Sequence, residues 1–464
     1  MRMDVKRQPR GVTRWGFVIS VVLAALGLGL GLLASAAIST RAEAQEANWW
    51  EFIPGFGSSG TPASARRTDY QGREGQAEQL GDLRTDPTPL RSDAMVTALE
   101  DAIARYQEIA ASGGWAPIPG SRMMRPGDDD ERIPLVRRRL IMTGDLRRQQ
   151  SYQSYAFDGE LEAAVRRFQD RHGLRSSGRI DRPTLQAMNV PVQVRLAQLR
   201  LNQHRIRELI GQRIEDRYIL VNVPAFQLEA VERYNVAERH RVIAGKPERQ
   251  TPTVKAQVRA LNFFPYWRVP DSVATLDLIP RLQKEPDYLA KEQIRVLTGS
   301  FNGPEIDPAN IDWRQADATR IKFRQDPGPQ NALGLVRLDM PNEHGVYMHD
   351  TPMKKLFDQR GRAFSAGCVR VQNVFDLAAW IARDEPGGID RQRIEDILAA
   401  GNAVDIQLTR PVPVYFTYVT AWAEPDGRVE FRPDIYGRDG LKELSSDRER
   451  DPDAPPPPSQ SLAP

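Results

Sequence analysis

The 464-residue chain contains one cysteine, Cys368, inside the stretch FSAGCVRV from Phe364 to Val371. Two of its five histidines, His344 and His349, lie shortly upstream in HGVYMHDT. A free thiol with a pKa of about 8.5 is mostly protonated at neutral pH, and a neighbouring imidazole that takes the proton leaves a strong nucleophile. The pairing therefore points to covalent catalysis. Plainer readings compete with it. Cys368 alone is a small core hydrophobe, and His344 alone is a structural hydrogen-bonding residue. His344, His349 and Cys368 together make three N/S ligands for zinc, one short of a structural set and without CxxC or HExxH spacing. With no second cysteine, an intramolecular disulfide is excluded.

These side chains need strands to bring them together. GVYMHDT alternates, so Tyr347 and His349 point to one side, Val346 and Met348 to the other. A turn-rich return from Gly361 to Gly367 leads into an extended run, Cys368 to Val371. Two adjacent strands of this kind put His349 opposite Cys368. Gly367 has no Cβ where a substrate carbonyl approaches, and backbone N–H groups at such a turn stabilise an oxyanion. Arg370, two residues on, shares the cysteine's face and is placed to grip a carboxylate.

The rest of the chain says where this chemistry happens. Arg2, Lys6, Arg7, Arg10 and Arg14 precede an apolar run from Trp15 to Ile38, and Ala42-Glu43-Ala44 offers a small-x-small cleavage site. Residues 1–44 thus read as a signal peptide or an uncleaved membrane anchor, and both deliver the remainder across a membrane. A leftover thiol in an oxidising compartment suggests reactivity or an intermolecular bridge. The net charge of +3 gives no reason to invoke nucleic acid. Residues 45–91 read as a flexible linker, and the GxGxxG match at Gly55 to Gly60 lacks the strand and helix that dinucleotide binding requires.

A helical region is expected over 92–213. Ser92 or Asp93 caps a helix carrying Val96, Leu99, Ile103, Tyr106 and Ala110, and Gly113-Gly114 stops it. About 134–189 makes a three-helix unit, and Val194 to Gln212 a helical connector. Strands follow from Tyr218. The aromatic run Phe263 to Trp267 reads as core packing, Leu276 to Val296 as helix, and Gly299 to Gly334 as a long polar loop able to cover a site. Asn373 caps a helix to about Arg383, Val414 to Ala423 with Gly427 to Arg432 reads as a hairpin, and 441–464 as a disordered tail.

FDGELEAAVRRFQDRHGLRSSGRIDRPTL resembles the peptidoglycan-binding domain common in bacterial wall hydrolases. HGVYMHDT with SAGCVRV resembles the signature of the L,D-transpeptidase (YkuD-type) catalytic domain. RYILVNVPAFQLEAVE, VIAGKPERQTP, FPYWRVP, DPGPQNALG, HDTPMKKLF and IYGRDG extend the likeness over about 217–439, to the larger Gram-negative branch that carries an upstream wall-binding domain. The resemblance implies an α+β chain: a mostly-β catalytic domain over 214–440 with an inserted lid-like region, plus the small three-helix domain. It implies Cys368 as nucleophile, His349 as base, Gly367 and the Cys368 backbone at the oxyanion, Ser365 shaping the turn, and Arg370, Tyr347 and His344 at the substrate. In relatives a backbone carbonyl orients the histidine, so Asp350 is not automatically that group.

The implied reaction joins peptidoglycan tetrapeptide stems by 3-3 crosslinks through a thioester, with loss of D-alanine and with neither cofactor nor metal. The implied setting is the periplasm, with inner-membrane anchoring through 15–38 as one form, and with carbapenem β-lactams as covalent inhibitors. A hydrolase or lipoprotein-attaching transferase on the same fold, and a noncatalytic wall-binding scaffold, stay open at this point.

Overall fold

The computed structural model describes residues 82–147, 153–211 and 215–441. The export segment, the GxGxxG stretch, most of the expected linker and nearly all of the tail lie outside them. Among the described residues no helix is long and apolar enough to cross a membrane.

The helices start where short polar side chains can cap them. Ser92 Oγ accepts the Met95 N–H at 3.3 Å and opens α1 (Asp93–Ala111), which buries Met95, Leu99, Ala102, Ile103 and Tyr106 along one face. The small bundle is α2 (Ile133–Met142), α3 (Gly159–Arg171) and α4 (Arg182–Asn189). Asp158 and Asp181 cap the last two by accepting the Leu161 and Thr184 N–H groups. Gln169, fully buried, staples α3 to the turn before α4. Its Nε2 donates to the Arg179 carbonyl at 2.7 Å and to Thr184 Oγ1 at 3.0 Å, and its Oε1 accepts the Gly178 N–H at 2.9 Å. Gln169→Leu should lower unfolding free energy by about 1–3 kcal/mol, because buried polar groups lose their partners. Denaturant titration checks it, and an unchanged midpoint would contradict the staple. The connector α5 (Val192–Ile210) then runs to the β region.

That region is built on β1 (Arg217–Asn222), β2 (Gln227–Glu232), β3 (Asn235–Gly245), β4 (Val254–Phe263), β5 (Trp267–Arg268), β6 (Ile294–Thr298), β7 (Ile321–Gln325), β8 (Val336–Asp339), β9 (Met348–His349), β10 (Ala363–Ser365), β11 (Val369–Val371), β12 (Val404–Thr417), β13 (Ala421–Ala423) and β14 (Val429–Phe431). Nine of these form one sheet in the order β10-β3-β11-β9-β8-β4-β12-β1-β2, and β2 also pairs with β3, so the ladder closes on itself. Closure leaves few unpaired edges. Val221, Leu228, Val242, Leu261, Leu338, Met348 and Val369 fill its core. They pack there against α6 (Val374–Ala382) and α7 (Arg391–Ala400) through Leu377, Ile381 and Ile394.

The structure corrects several expectations. Residues 82–91 are packed, not a flexible linker: buried Arg84 pairs with Glu229 at 3.0 Å and Glu424 at 2.6 Å, Asp82 with Arg241 and Arg362 at 2.7 Å each, and Leu90 enters the core. The segment is polar because its work is charge pairing, which composition alone reads as solvation. Arg84→Met leaves two buried carboxylates undercompensated and should cost about 3–5 kcal/mol. Thermal unfolding reads this, and an unchanged midpoint would return the segment to linker status.

Leu276 to Val296 is not one helix; it breaks into a π turn, two four-residue helices and β6. The expected 299–334 loop supplies β7, the central strand of a second sheet ordered β5-β7-β6, with Trp313, Phe323 and Leu333 in its own core. Those apolar residues are isolated among polar ones, so no period announces them. The hairpin is β13–β14 alone, since residues 414–417 belong to β12. Asn373 begins α6 from a left-handed conformation, with no side-chain capping bond.

Candidate active site

Strands β9 and β11 carry or adjoin the candidate residues and run parallel, Met348 opposite Val369 and His349 opposite Arg370. The expected pairing of His349 with Cys368 is therefore off by two residues, because the strands are parallel and not a hairpin. Met348 and Val369 go into the core. Cys368 lies where β11 begins, 6% exposed, and the next N–H, that of Val369, donates to the Tyr347 carbonyl at 3.0 Å.

The turn before the thiol is held by one hydroxyl. Ser365 Oγ accepts the Gly367 N–H at 3.2 Å and donates to the Cys368 carbonyl at 2.5 Å. Gly367 has φ +123°, a conformation side chains rarely adopt. The Gly367 N–H, expected at the oxyanion, here donates to Ser365 Oγ. The Cys368 N–H has no acceptor within hydrogen-bond range among the described residues.

His349 is fully buried. Its Nδ1–H donates to the Asp350 main-chain carbonyl, and Nε2 has no hydrogen-bond partner among the described residues. This bond selects the tautomer whose Nε2 carries the lone pair. The Asp350 carboxylate does other work: it accepts the Leu335 N–H at 3.0 Å and pairs with Lys354. A Cβ on Gly334 would sit 2.3 Å from Asp350 Oδ2, so only glycine fits beside the histidine segment.

Burial sets the charge states. It pushes the Cys368 thiol up to about 12, opposed by the Tyr347 backbone N–H and the Arg370 guanidinium. Burial, then repulsion from Arg370, holds His349 down at about 3. Thiol and imidazole are thus both neutral across the physiological range. The depressed His349 value contributes stability that is present above its ordinary 6.5 and is lost as pH falls from there towards 3. The raised Cys368 value does the reverse, its contribution being lost as pH rises above 9. In urea titrations, the stability of His349→Gln relative to the parent should therefore rise by up to about 1.4 kcal/mol per pH unit below 6.5. A pH-independent difference would contradict a buried neutral imidazole.

The other expected site residues divide. Tyr347 lies with its ring 5.8 Å from that of His349, edge on, and packs against both the main core and the inserted sheet. Arg370 is fully buried, with Met353 Sδ 3.8 Å from its guanidinium, and its charge bears on both the Cys368 thiol and the His349 imidazole. His344 is on an exposed turn beside Glu343, in an open groove with Arg438 and Tyr418, and makes no bond to Cys368 or His349.

Residues 216–406 match the YkuD family, described as the L,D-transpeptidase catalytic domain. This part of the chain is therefore similar to the L,D-transpeptidase catalytic domain. Ahead of it, residues 135–188 match a family described as "Putative peptidoglycan binding domain". Over 222 residues the chain is 33% identical to a Haemophilus influenzae protein described as "Putative L,D-transpeptidase", with 48% of this chain and 44% of that one covered. The chain thus matches less than half the length of this relative. Among solved structures it is similar to an L,D-transpeptidase from Mycobacterium smegmatis (13% identity, 44% and 58% covered, TM-score 0.22). A second likeness is to one from Stackebrandtia nassauensis (12%, 64% and 96% covered, TM-score 0.24).

Within residues 216–406 and just beyond, Thr251, Leu333, Gly334 and Tyr436 lie outside the two motifs that carry reactive groups. Each stands in a stretch that resembles the family, VIAGKPERQTP, DPGPQNALG or IYGRDG, but carries no reactive group that would single it out. Among the described residues, no group of three or more His, Cys, Asp or Glu side chains could hold a metal ion.

Proposed function

We propose that the protein is an exported enzyme that crosslinks peptidoglycan stems through a Cys368 thioester. The observation that carries this is the His349 tautomer: Nδ1–H tied to a main-chain carbonyl, Nε2 left as a base, on the strand next to the one that begins at the sole thiol. Nε2 takes the thiol proton as Sγ attacks the carbonyl of the third stem residue, diaminopimelate in this reading. The tetrahedral oxygen is met by the Cys368 N–H. Collapse returns the proton to the departing D-alanine amine and leaves a thioester. The side-chain amine of a second stem then attacks, gives its proton to Nε2, and restores the thiol with a 3-3 crosslink formed. No cofactor is required, because the thioester conserves the energy of the cleaved amide.

The three-helix unit holds the enzyme on the wall, and the inserted sheet covers the site, its core touching Tyr347 and Ala366. Export to the periplasm follows from the basic and apolar N-terminus, with the inner membrane reached if residues 15–38 are retained. Carbapenem β-lactams acylate the same sulfur. Incubation of the protein with disaccharide-tetrapeptide, read by mass spectrometry, should give dimers with one D-alanine lost. Tripeptide monomer alone would mark a carboxypeptidase, and unchanged substrate would contradict the proposal.

A further inference from the structure

We propose that Thr251 is a positioning residue that aims the Cys368 backbone N–H at the oxyanion; this rests on the transpeptidase reading above. Thr251 is fully buried, 116 residues from Gly367 along the chain, and outside every motif that carries reactive chemistry. Its Oγ1 lies 2.8 Å from the Gly245 nitrogen and 2.8 Å from the Gly367 carbonyl oxygen. A threonine hydroxyl has one proton. The Gly245 N–H can only donate, so that proton goes to the Gly367 carbonyl.

A trans peptide is planar, with its C=O and N–H pointing in opposite directions. Fixing the Gly367 carbonyl on Thr251 therefore fixes the direction of the Cys368 N–H, away from Thr251. It is the N–H that finds no acceptor among the described residues, while its neighbour on Gly367 is bonded to Ser365. The turn has been left with one free donor, and Thr251 sets its aim. Thr251 is itself braced: its N–H donates at 3.2 Å to the Tyr436 hydroxyl, which donates to the Gly245 carbonyl at 2.5 Å. Without the hydroxyl, the Gly367–Cys368 peptide has no bond to resist rotation about its flanking dihedrals, and Gly367 is the residue least able to hold it.

The test compares two reactions of the same sulfur in the full-length protein. Acylation by a carbapenem passes through an oxyanion; alkylation by iodoacetamide does not. Removing an oxyanion donor costs about 10²–10³ in rate, and misdirecting one costs a share of that. Thr251→Val, which keeps the shape and removes the O–H, should slow the carbapenem acylation rate constant at least about tenfold, measured by intact mass. Its half-saturating carbapenem concentration and its iodoacetamide rate should stay within about threefold of the parent, and Thr251→Ser should restore acylation. Acylation by Thr251→Val within twofold of the parent would overturn the assignment. So would a parallel loss of alkylation, which marks a merely structural role, or failure of serine to rescue. Cys368→Ala, run alongside, reads the nucleophile separately: an adduct that survives it sinks that assignment and this one together.

Discussion

Cys368→Ser should abolish crosslinking while leaving the fold intact. The scale for losing a nucleophile from a site that works as a unit is about a millionfold in rate. Serine keeps the geometry but not the chemistry: its hydroxyl is far less acidic than a thiol, and His349 is oriented by a carbonyl with no carboxylate behind it to stabilise an imidazolium. The buried hydroxyl also loses the packing of sulfur in the core, at a cost of about 1–3 kcal/mol. Activity and stability therefore separate the two readings of the lone cysteine. A core hydrophobe predicts the stability loss with crosslinking retained; a nucleophile predicts that crosslinking goes even where circular dichroism shows a folded protein.

His349→Gln should slow acylation about 10²–10⁴-fold, the usual share of a general base. Glutamine can still donate to the Asp350 carbonyl, so the strand keeps its anchor and the loss reports proton transfer. The pH profile makes this specific. With His349 present, the imidazole is neutral at any pH well above 3 and takes the thiol proton internally, so the rate should vary little between about 5 and 9. Without it, attack depends on the small fraction of pre-formed thiolate. That fraction grows tenfold per pH unit until the pKa near 12 is approached. The variant should therefore recover steadily with alkali where the parent does not. A flat profile in the variant, or a parent rate that climbs with it, would remove His349 from the base role.

The candidate motif residues stood out because nucleophilic chemistry constrains residue type: a lone thiol, a nearby imidazole and a glycine turn. The first helix was legible for the same reason, with its cap at Ser92 and its face at Leu99, Ile103 and Tyr106, where local chemistry decides. What escaped was set by contacts between distant segments. The parallel register of β9 and β11 depends on the path of residues 350–368, which no local pattern fixes. Arg370 was read as sharing the cysteine's face; that it is fully buried there, where its charge helps keep His349 neutral, is set by the packed strand. Asp82 and Arg84 looked like linker because their carboxylate and guanidinium partners lie across the fold. Phe323 and Leu333 lacked period because the inserted sheet is built from short strands between turns.

The most direct test of the account is rapid acid quench of the protein with disaccharide-tetrapeptide, followed by proteolysis and tandem mass spectrometry. The predicted result is a tripeptide-stem adduct on Cys368, labile to hydroxylamine as a thioester is, appearing before crosslinked dimer and absent from Cys368→Ala. Dimer formed with no adduct on Cys368, or an adduct carried by another residue, would contradict it.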